Sequence, residues 1–262
     1  IAAAVAYGAK PDAKDKHWMV FDYGGGTLDV AIISTLDNRL TVENSEGDNY
    51  FGGSDIDRLL FRQVVLKKLR EAGYHVDRLF DESTSSGKSL ARKVQLDCEN
   101  CKIELSNKES SILEIFDMDD DDGEPIEFEC EITRQELESI ISDTVERSIS
   151  IAKKALAGAN IRDDQLDKIL LVGGSTFIPL VRRRLEEAFG VELDSSLNPM
   201  TVVAAGAAIY AAASAIDVEE EIQPSGTGHA VISLAYDPVS SEEMVNVIGK
   251  VVNIKDAGAA RV

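Results

Sequence analysis

The chain has 262 residues, of which 27 are basic and 47 acidic, so its formal net charge is −20 at pH 7. With 44% hydrophobic residues the composition is that of a globular protein rather than a disordered chain. The negative charge argues against nucleic acid and anionic membranes as partners, and no apolar run is long enough to span a bilayer. Three cysteines and no secretory leader predict a reducing, cytoplasmic compartment.

The N-terminal part predicts an antiparallel sheet interrupted by a glycine-rich turn. Residues 18–22 are typical of a buried strand, and residues 28–34 and 40–45 predict two further strands joined by a turn at 37–39. The glycines at 24–26 are incompatible with a strand or helix interior and therefore form the turn after the first strand.

Residues 54–105 predict two helices separated by a loop. Ser54 or Asp55 caps the first helix, and the polar segment 81–88 is the predicted loop. The second helix starts at Ser89 and carries its apolar residues on one stripe. That stripe consists of Leu90, Val94, Cys98, Cys101 and Leu105.

Residues 111–172 predict a second group of strands and helices. Strands at 111–116 and 126–132 flank an acidic turn, and a capping box at Thr133 opens a helix that reaches about Ala157. A buried strand follows at 168–172.

The C-terminal part predicts two helices, followed by a change in amino-acid composition. A helix begins near Pro179, and small residues fill a helix at 200–215 that can pack its backbone closely against a neighbour. Residues 217–229 are the predicted linker, and residues 230–262 contain short β-prone runs. Because Ile1 is not an initiator methionine, we expect a fragment of a longer protein.

The first motif with chemical meaning is the glycine turn between two carboxylates. Successive glycine N–H groups can point into one concavity that suits phosphate oxygens, and the Thr27 hydroxyl adds a donor. Asp22 and Asp29 can hold Mg²⁺ through water or orient an attacking water. A hairpin turn that binds nothing is the alternative, but it rarely needs three glycines flanked by carboxylates.

A second motif lies on the long helix, where Glu99, Lys102, Ile103 and Ser106 share one face. An acidic side chain, a basic side chain and a hydroxyl on one helix face can bind the ribose and the base of a nucleoside. From spacing alone, a solvated face with an ion pair is the favoured interpretation. The glycine pairs at 52–53 and 173–174 each precede a helix and are weak signals individually.

In their order, these motifs resemble the second half of the nucleotide-binding domain of the seventy-kilodalton heat-shock (DnaK-like) chaperone family. The resemblance covers about residues 1–215. The matching segments lie at 2–8, 21–29, 47–57, 98–106, 171–179, 198–199 and 203–208.

The resemblance implies an α/β fold, the second lobe of an actin-like (ribonuclease H-like) ATPase. That lobe would occupy residues 1–216, with an inserted smaller α+β subdomain at about 56–131. The linker at 217–229 would then lead to the start of a β-rich region at 230–262.

The resemblance also implies ATP or ADP with Mg²⁺ as ligands. The residues expected to bind the nucleotide are Gly24, Gly25, Gly26, Thr27, Gly53, Glu99, Lys102, Ile103, Ser106, Gly173, Gly174, Ser175 and Phe177. Those expected to act on the phosphates are Asp22, Thr27 and Asp29, with Asp22 and Asp29 holding the metal through water.

The sequence departs from the family pattern beside the expected adenine. The family typically has arginines where this chain has Ile103 and Phe177, although an aromatic ring can still stack on a base. Ser54 replaces a usual glutamate, and Met200-Thr201 replace an acidic pair. The chain therefore resembles a divergent member of the family.

The implied function is that of a chaperone ATPase that couples nucleotide state to binding of unfolded polypeptide through a downstream domain. A co-chaperone or nucleotide-exchange factor is an expected further partner. The family's first lobe, with its own catalytic lysine and glutamate, is expected to complete the site, so ATP hydrolysis by this chain alone should be negligible. The alternatives are an actin-like filament or cell-division protein, a sugar or acetate kinase of the same superfamily, and a pseudo-ATPase binding module.

Overall fold

The computed structural model describes residues 2–7, 16–36, 39–214, 231–235 and 248–253. The chain divides into two compact units, Ile1–Ala213 and Ser214–Val262. The linker predicted at 217–229 lies outside the described residues, as do Ile1 and most of the turn predicted at 37–39. Within the described ranges, no helix has the length and apolar character needed to cross a membrane.

The strands form one mixed sheet and two separate hairpins. The strands are β1 (His17–Tyr23), β2 (Leu28–Leu36), β3 (Arg39–Asp48), β4 (Ser110–Ile115), β5 (Phe128–Thr133), β6 (Lys168–Val172), β7 (Glu192–Asp194), β8 (Val231–Ala235) and β9 (Ile248–Asn253). The mixed sheet has the order β3-β2-β1-β6-β7, and the hairpins pair β4 with β5 and, in the second unit, β8 with β9.

The predicted antiparallel arrangement of the first three strands is confirmed, and β6 and β7 extend the sheet in parallel with β1. β3 runs three residues beyond its predicted end at residue 45 and reaches Asp48. Its last residues pair with Leu28, Asp29 and Val30. The backbone ladder continues there although the side chains are polar, because ladder hydrogen bonds need no apolar side chain.

The helices are α1 (Ala2–Ala6), α2 (Gly53–Leu60), α3 (Leu66–Glu71), α4 (Ser85–Leu105), α5 (Arg134–Gly158), α6 (Pro179–Phe189) and α7 (Val202–Ser214). A π-helical turn, Phe61–Val65, joins α2 to α3. The capping box predicted at Thr133 is confirmed at the start of α5.

Two predicted helix starts are wrong. α2 begins at Gly53 with Gly52 as its N-cap, because the Asp55 carboxylate accepts from the Gly52 N–H at 2.9 Å rather than capping the helix itself. α4 begins at Ser85, four residues earlier than predicted, because Thr84 is the cap and accepts from the Gly87 N–H at 3.0 Å. Polar composition alone had placed 85–88 in a loop.

The central sheet is covered on both faces. Met19, Phe21 and Tyr23 of β1 belong to a large core with α2, α4, α5 and α6. Trp18 and Val20 point to the other face, where they pack with α1 and the start of α7. On α4, the predicted apolar stripe is buried except for Leu90, which is half-buried against the same core.

Helix α7 approaches α1 closely, as its small residues predicted. A Cβ atom built on Gly206 would lie 1.8 Å from the Ala2 carbonyl oxygen, so only glycine fits at this crossing.

Candidate nucleotide site

The glycine turn at 24–27 lies at the end of the β1–β2 hairpin and exposes Gly25, Gly26 and Thr27 to solvent. The Gly24 N–H donates to the Thr27 carbonyl at 3.0 Å. The N–H groups of Gly25, Gly26 and Thr27 donate to no acceptor in the described part of the chain. A Cβ on Gly25 or Gly26 would meet no atom within 4 Å. The turn therefore presents free N–H donors on an open surface, which suits an anion.

The start of α2 supports this turn from behind. The N–H groups of Gly53 and Ser54 donate to the carbonyls of Gly24 and Gly25 at 2.9 and 2.7 Å. A Cβ on Gly52 would lie 2.5 Å from the Gly25 carbonyl oxygen, so the two backbones meet directly. Gly53, a predicted nucleotide-binding residue, therefore holds the glycine turn rather than lining a cleft.

Asp22 and Asp29 are paired partners across β1 and β2, so their side chains lie on the same face of the sheet. Burial raises the pKa of Asp22, and the negative charge of Asp29 raises it further. Both carboxylates line a cleft of about 450 Å³, together with Glu46 and Asn49. Oxygen donors of this kind suit a hydrated divalent cation.

A second cleft, of about 440 Å³, opens on the α4 side of the glycine turn. Eight of the predicted nucleotide-binding residues line this cleft: four on α4, one in the glycine turn and three after β6. These residues are Gly25, Glu99, Lys102, Ile103, Ser106, Gly174, Ser175 and Phe177. The α4 face thus lines a cleft, and the volume of that cleft lies in the range of small-molecule sites.

Sequence reasoning missed three residues that line this cleft: Asn107, Ile178 and Met200. Asn107 directly follows Ser106 and could have been included by extending the α4 face. Met200 had been noted only as a departure from the family pattern. Its sulfur packs on Gly174, since a Cβ there would lie 2.9 Å from Sδ.

Lys102 is the sole cationic side chain that lines the cleft within the described ranges. Its Nζ lies 2.7 Å from Asp57 Oδ1 and donates to the Gly53 carbonyl at 3.2 Å. Burial raises the pKa of Asp57, and the adjacent Lys102 ammonium opposes that rise. Asp57 was not predicted; a carboxylate between Ile56 and Leu60 on the buried face of α2 was the signal available.

Gly173 closes the end of β6 instead of lining the cleft. Its φ of +83° is in the left-handed region, and a Cβ there would lie 2.4 Å from the Tyr23 carbonyl oxygen. The helix start predicted near Pro179 is confirmed, and a 3₁₀ turn, Gly174–Phe177, lies between β6 and α6. On that turn, the Ser175 hydroxyl donates to the Gly24 carbonyl at 3.0 Å.

Phe177 forms part of the apolar side of the cleft and is 41% exposed. The Arg182 guanidinium carbon lies 5.6 Å from the ring centroid, within the range of a cation–π contact. Arg182 Nε donates to the Thr176 carbonyl at 2.8 Å, which fixes the guanidinium beside the ring. The ring is therefore supported by a cation while part of its surface faces the cleft.

The residues present fit a nucleoside diphosphate. Free N–H groups suit phosphate oxygens, Glu99, Lys102 and Ser106 suit ribose hydroxyls, and the apolar wall at Ile103 and Phe177 suits a planar base.

The five-stranded mixed sheet with helices on both faces is that of an α/β protein. The family model described as Hsp70 protein matches residues 1–222. The chain belongs to the Hsp70 family, and this membership implies the actin-like ATPase fold. A curated relative, the chaperone protein DnaK of Thermotoga neapolitana, is 36% identical over 212 residues, which cover 80% of this chain and 34% of that protein. The chain thus spans about a third of the length of the relative it matches.

Family membership confirms the resemblance drawn from the motifs. Proteins of this family bind ATP or ADP, generally with Mg²⁺. The match does not favour an actin-like filament protein or a superfamily kinase.

Proposed function

We propose that this chain is the nucleotide-binding second lobe of a chaperone ATPase. The observation that carries the proposal is the exposed glycine turn, whose N–H groups at Gly25, Gly26 and Thr27 find no acceptor in the described part of the chain. Those groups would donate to the β- and γ-phosphate oxygens of ATP or ADP. Asp22 and Asp29 would hold the hydrated Mg²⁺ that neutralises the phosphates.

The α4 cleft would hold the nucleoside. Glu99 would accept from ribose hydroxyls and Lys102 would donate to an oxygen at the same end. The Ser106 hydroxyl donates to the Lys102 carbonyl at 3.2 Å, so its oxygen would accept from the ligand. Ile103 and Phe177 would flank the base through dispersion rather than through charge. Gly174 and Ser175 would complete the wall, and Gly24, Gly53 and Gly173 would keep the glycine turn in place.

Hydrolysis by this chain alone would be slow. Phosphoryl transfer is catalysed by positioning and by positive charge around the transferring group. Lys102 is the sole cation lining the α4 cleft within the described ranges, and it is engaged by Asp57. The remaining cationic groups would come from a first lobe. Coupling to unfolded polypeptide and to an exchange factor would depend on that complete protein.

The decisive test is a calorimetric titration of the chain with Mg·ADP, with Glu99→Gln and Glu104→Gln as a matched pair. Both residues are on α4, but Glu99 lines the cleft while Glu104 pairs with Lys108 on the surface. The proposal expects Glu99→Gln to weaken binding several-fold and Glu104→Gln to bind like the wild type. Absence of binding by the wild type, or equal effects of both substitutions, would contradict it.

A further inference from the structure

The ion pair between Asp57 and Lys102 is buried at the floor of the α4 cleft. The Lys102 and Asp57 side chains are 9% and 8% exposed, and Nζ lies 2.7 Å from Oδ1. Stability alone does not explain such a pair, because apolar residues of similar volume serve a core equally well or better. Lys102 also lines the cleft, so the direction of its ammonium matters to whatever the cleft binds.

Both groups that hold the ammonium belong to α2. Gly53 and Asp57 are four residues apart and therefore lie on one face of the helix. The Gly53 carbonyl accepts from Nζ at 3.2 Å, while the Gly53 N–H donates to Gly24 in the glycine turn at 2.9 Å. One helix thus holds the glycine turn and the lysine together. One of the three ammonium N–H groups donates to the Gly53 carbonyl, while the Asp57 carboxylate holds the ammonium by charge at 2.7 Å, so N–H groups remain for the cleft.

Glu99 supplies the one carboxylate that lines the α4 cleft within the described ranges. It lies three residues before Lys102 on α4, lines the same cleft, and its charge is felt at Asp57, where it raises the pKa. Glutamate and lysine three residues apart on a helix form an ion pair readily. Without the Asp57 carboxylate, Lys102 would turn towards Glu99, and both polar groups needed by a ligand would be occupied by each other.

We propose that Asp57 is a positioning residue, which acts through Lys102 to direct an ammonium N–H at ligand oxygens in the α4 cleft. The inference rests on the proposed function for the identity of that ligand. Asp57 itself is not required to touch the ligand. Its effect should therefore disappear when Lys102 is absent.

The first test is a double-mutant cycle on the full chain, measured as the Kd for Mg·ADP by calorimetry. Asp57→Asn keeps the shape of the side chain and removes its charge. It should raise Kd about tenfold or more, the effect expected when a hydrogen bond from a charged ammonium to the ligand is lost. In a Lys102→Met background the same substitution should change Kd less than about threefold. An equal factor in both backgrounds, or no effect of Asp57→Asn, overturns the proposal.

The second test needs no nucleotide. In ¹⁵N-lysine-labelled protein, the Lys102 ammonium should give a slowly exchanging signal, assigned by its loss in Lys102→Met. Asp57→Asn should abolish that signal, and a signal that persists unchanged overturns the proposal. If the wild type fails to bind Mg·ADP, the proposed function falls, while this measurement still decides whether Asp57 holds the ammonium.

Asp57→Glu covers the case in which Asp57→Asn does not fold. The longer carboxylate keeps the charge and should restore both the slow signal and part of the binding. A folded Asp57→Glu protein that shows the signal and yet binds as weakly as Lys102→Met would overturn the proposal.

Discussion

Gly52→Ala and Gly26→Ala should separate the stability of the glycine turn from its ligand surface. A Cβ on Gly52 would lie 2.5 Å from both the Gly25 carbonyl oxygen and the Gly26 nitrogen, and both atoms are backbone. No flexible side chain is present to yield, so the turn itself must move. A Cβ on Gly26 would meet nothing within 4 Å, and Gly26 has no positive φ that would strain an alanine.

The two substitutions should therefore have different effects on the melting temperature. Overpacking of this kind costs about 1–3 kcal/mol, which corresponds to a Tm lowered by about 3–10 °C for a unit of this size. Gly26→Ala should leave Tm unchanged or raise it slightly, because alanine restricts the unfolded chain more than glycine does. It should nevertheless weaken Mg·ADP binding, since the new methyl group occupies the open surface where phosphate oxygens would approach.

Thermal unfolding followed by tryptophan fluorescence is the appropriate assay. Trp18 is the single tryptophan, is 6% exposed and lies near the start of β1, the strand that leads into the glycine turn, so it reports on the central sheet. Equal melting temperatures for Gly52→Ala and the wild type would refute the packing argument. A Gly26→Ala protein with a low Tm, or with unchanged Mg·ADP affinity, would refute the assignment of the open surface.

Asp22→Asn should raise the free energy of unfolding at pH 7. The pKa of Asp22 is raised in the folded protein, so the folded state favours the protonated carboxyl. The resulting contribution to stability is complete below about pH 3.8 and is lost as the pH rises through the pKa of the folded state. Urea titrations at pH 7 and below about pH 3.8 would show that the increase in the free energy of unfolding disappears in acid. An increase that persists in acid would contradict burial and the Asp29 charge as its cause. Phe177→Ala should weaken Mg·ADP binding by about 1–3 kcal/mol, the range for base stacking. Phe116, which directly follows β4, is exposed to a similar degree, and Phe116→Ala should leave the affinity measured by calorimetry unchanged. Gly173→Ala should lower Tm by several degrees, because it combines a φ of +83° with a contact at 2.4 Å; an unchanged melting curve would show that the ends of β1 and β6 can move apart.

The elements that sequence patterns predicted well are those with strong local signals. A short apolar run and turn chemistry were sufficient for the antiparallel strands β1–β3, and the capping box at Thr133 placed the start of α5. The start of α4 was missed because a single threonine cap outweighs the polar composition of the four residues that follow it. The residue at which a helix starts depends on one capping hydrogen bond, and the composition of the segment gives no information about that bond.

The candidate site divides in the same way. Helical spacing grouped the residues of the α4 face, but their role as a binding surface came from the family resemblance, because spacing alone favoured a solvated face. Asp57 and Met200 could not be assigned, since their roles depend on contacts between elements that are far apart in sequence: Asp57 with Lys102, and Met200 with Gly174. Gly53 and Gly173 are both constrained by close neighbours: a Cβ on Gly53 would meet the Ser175 hydroxyl and the Lys102 ammonium, and one on Gly173 would meet the Tyr23 backbone.

The hydrogen bond from Ser175 to Gly24 joins residues that are 151 positions apart in the chain. Pairing of β6 with β1 spans a similar separation, so one wall of the cleft cannot form until most of the first unit has been synthesised. During translation the β1–β3 meander would emerge before β6 and wait with one edge of β1 unpaired, which is a recognised hazard for a nascent chain. A protein assigned to the chaperone family would thus itself pass through a vulnerable stage in which its central strand is open to misassembly.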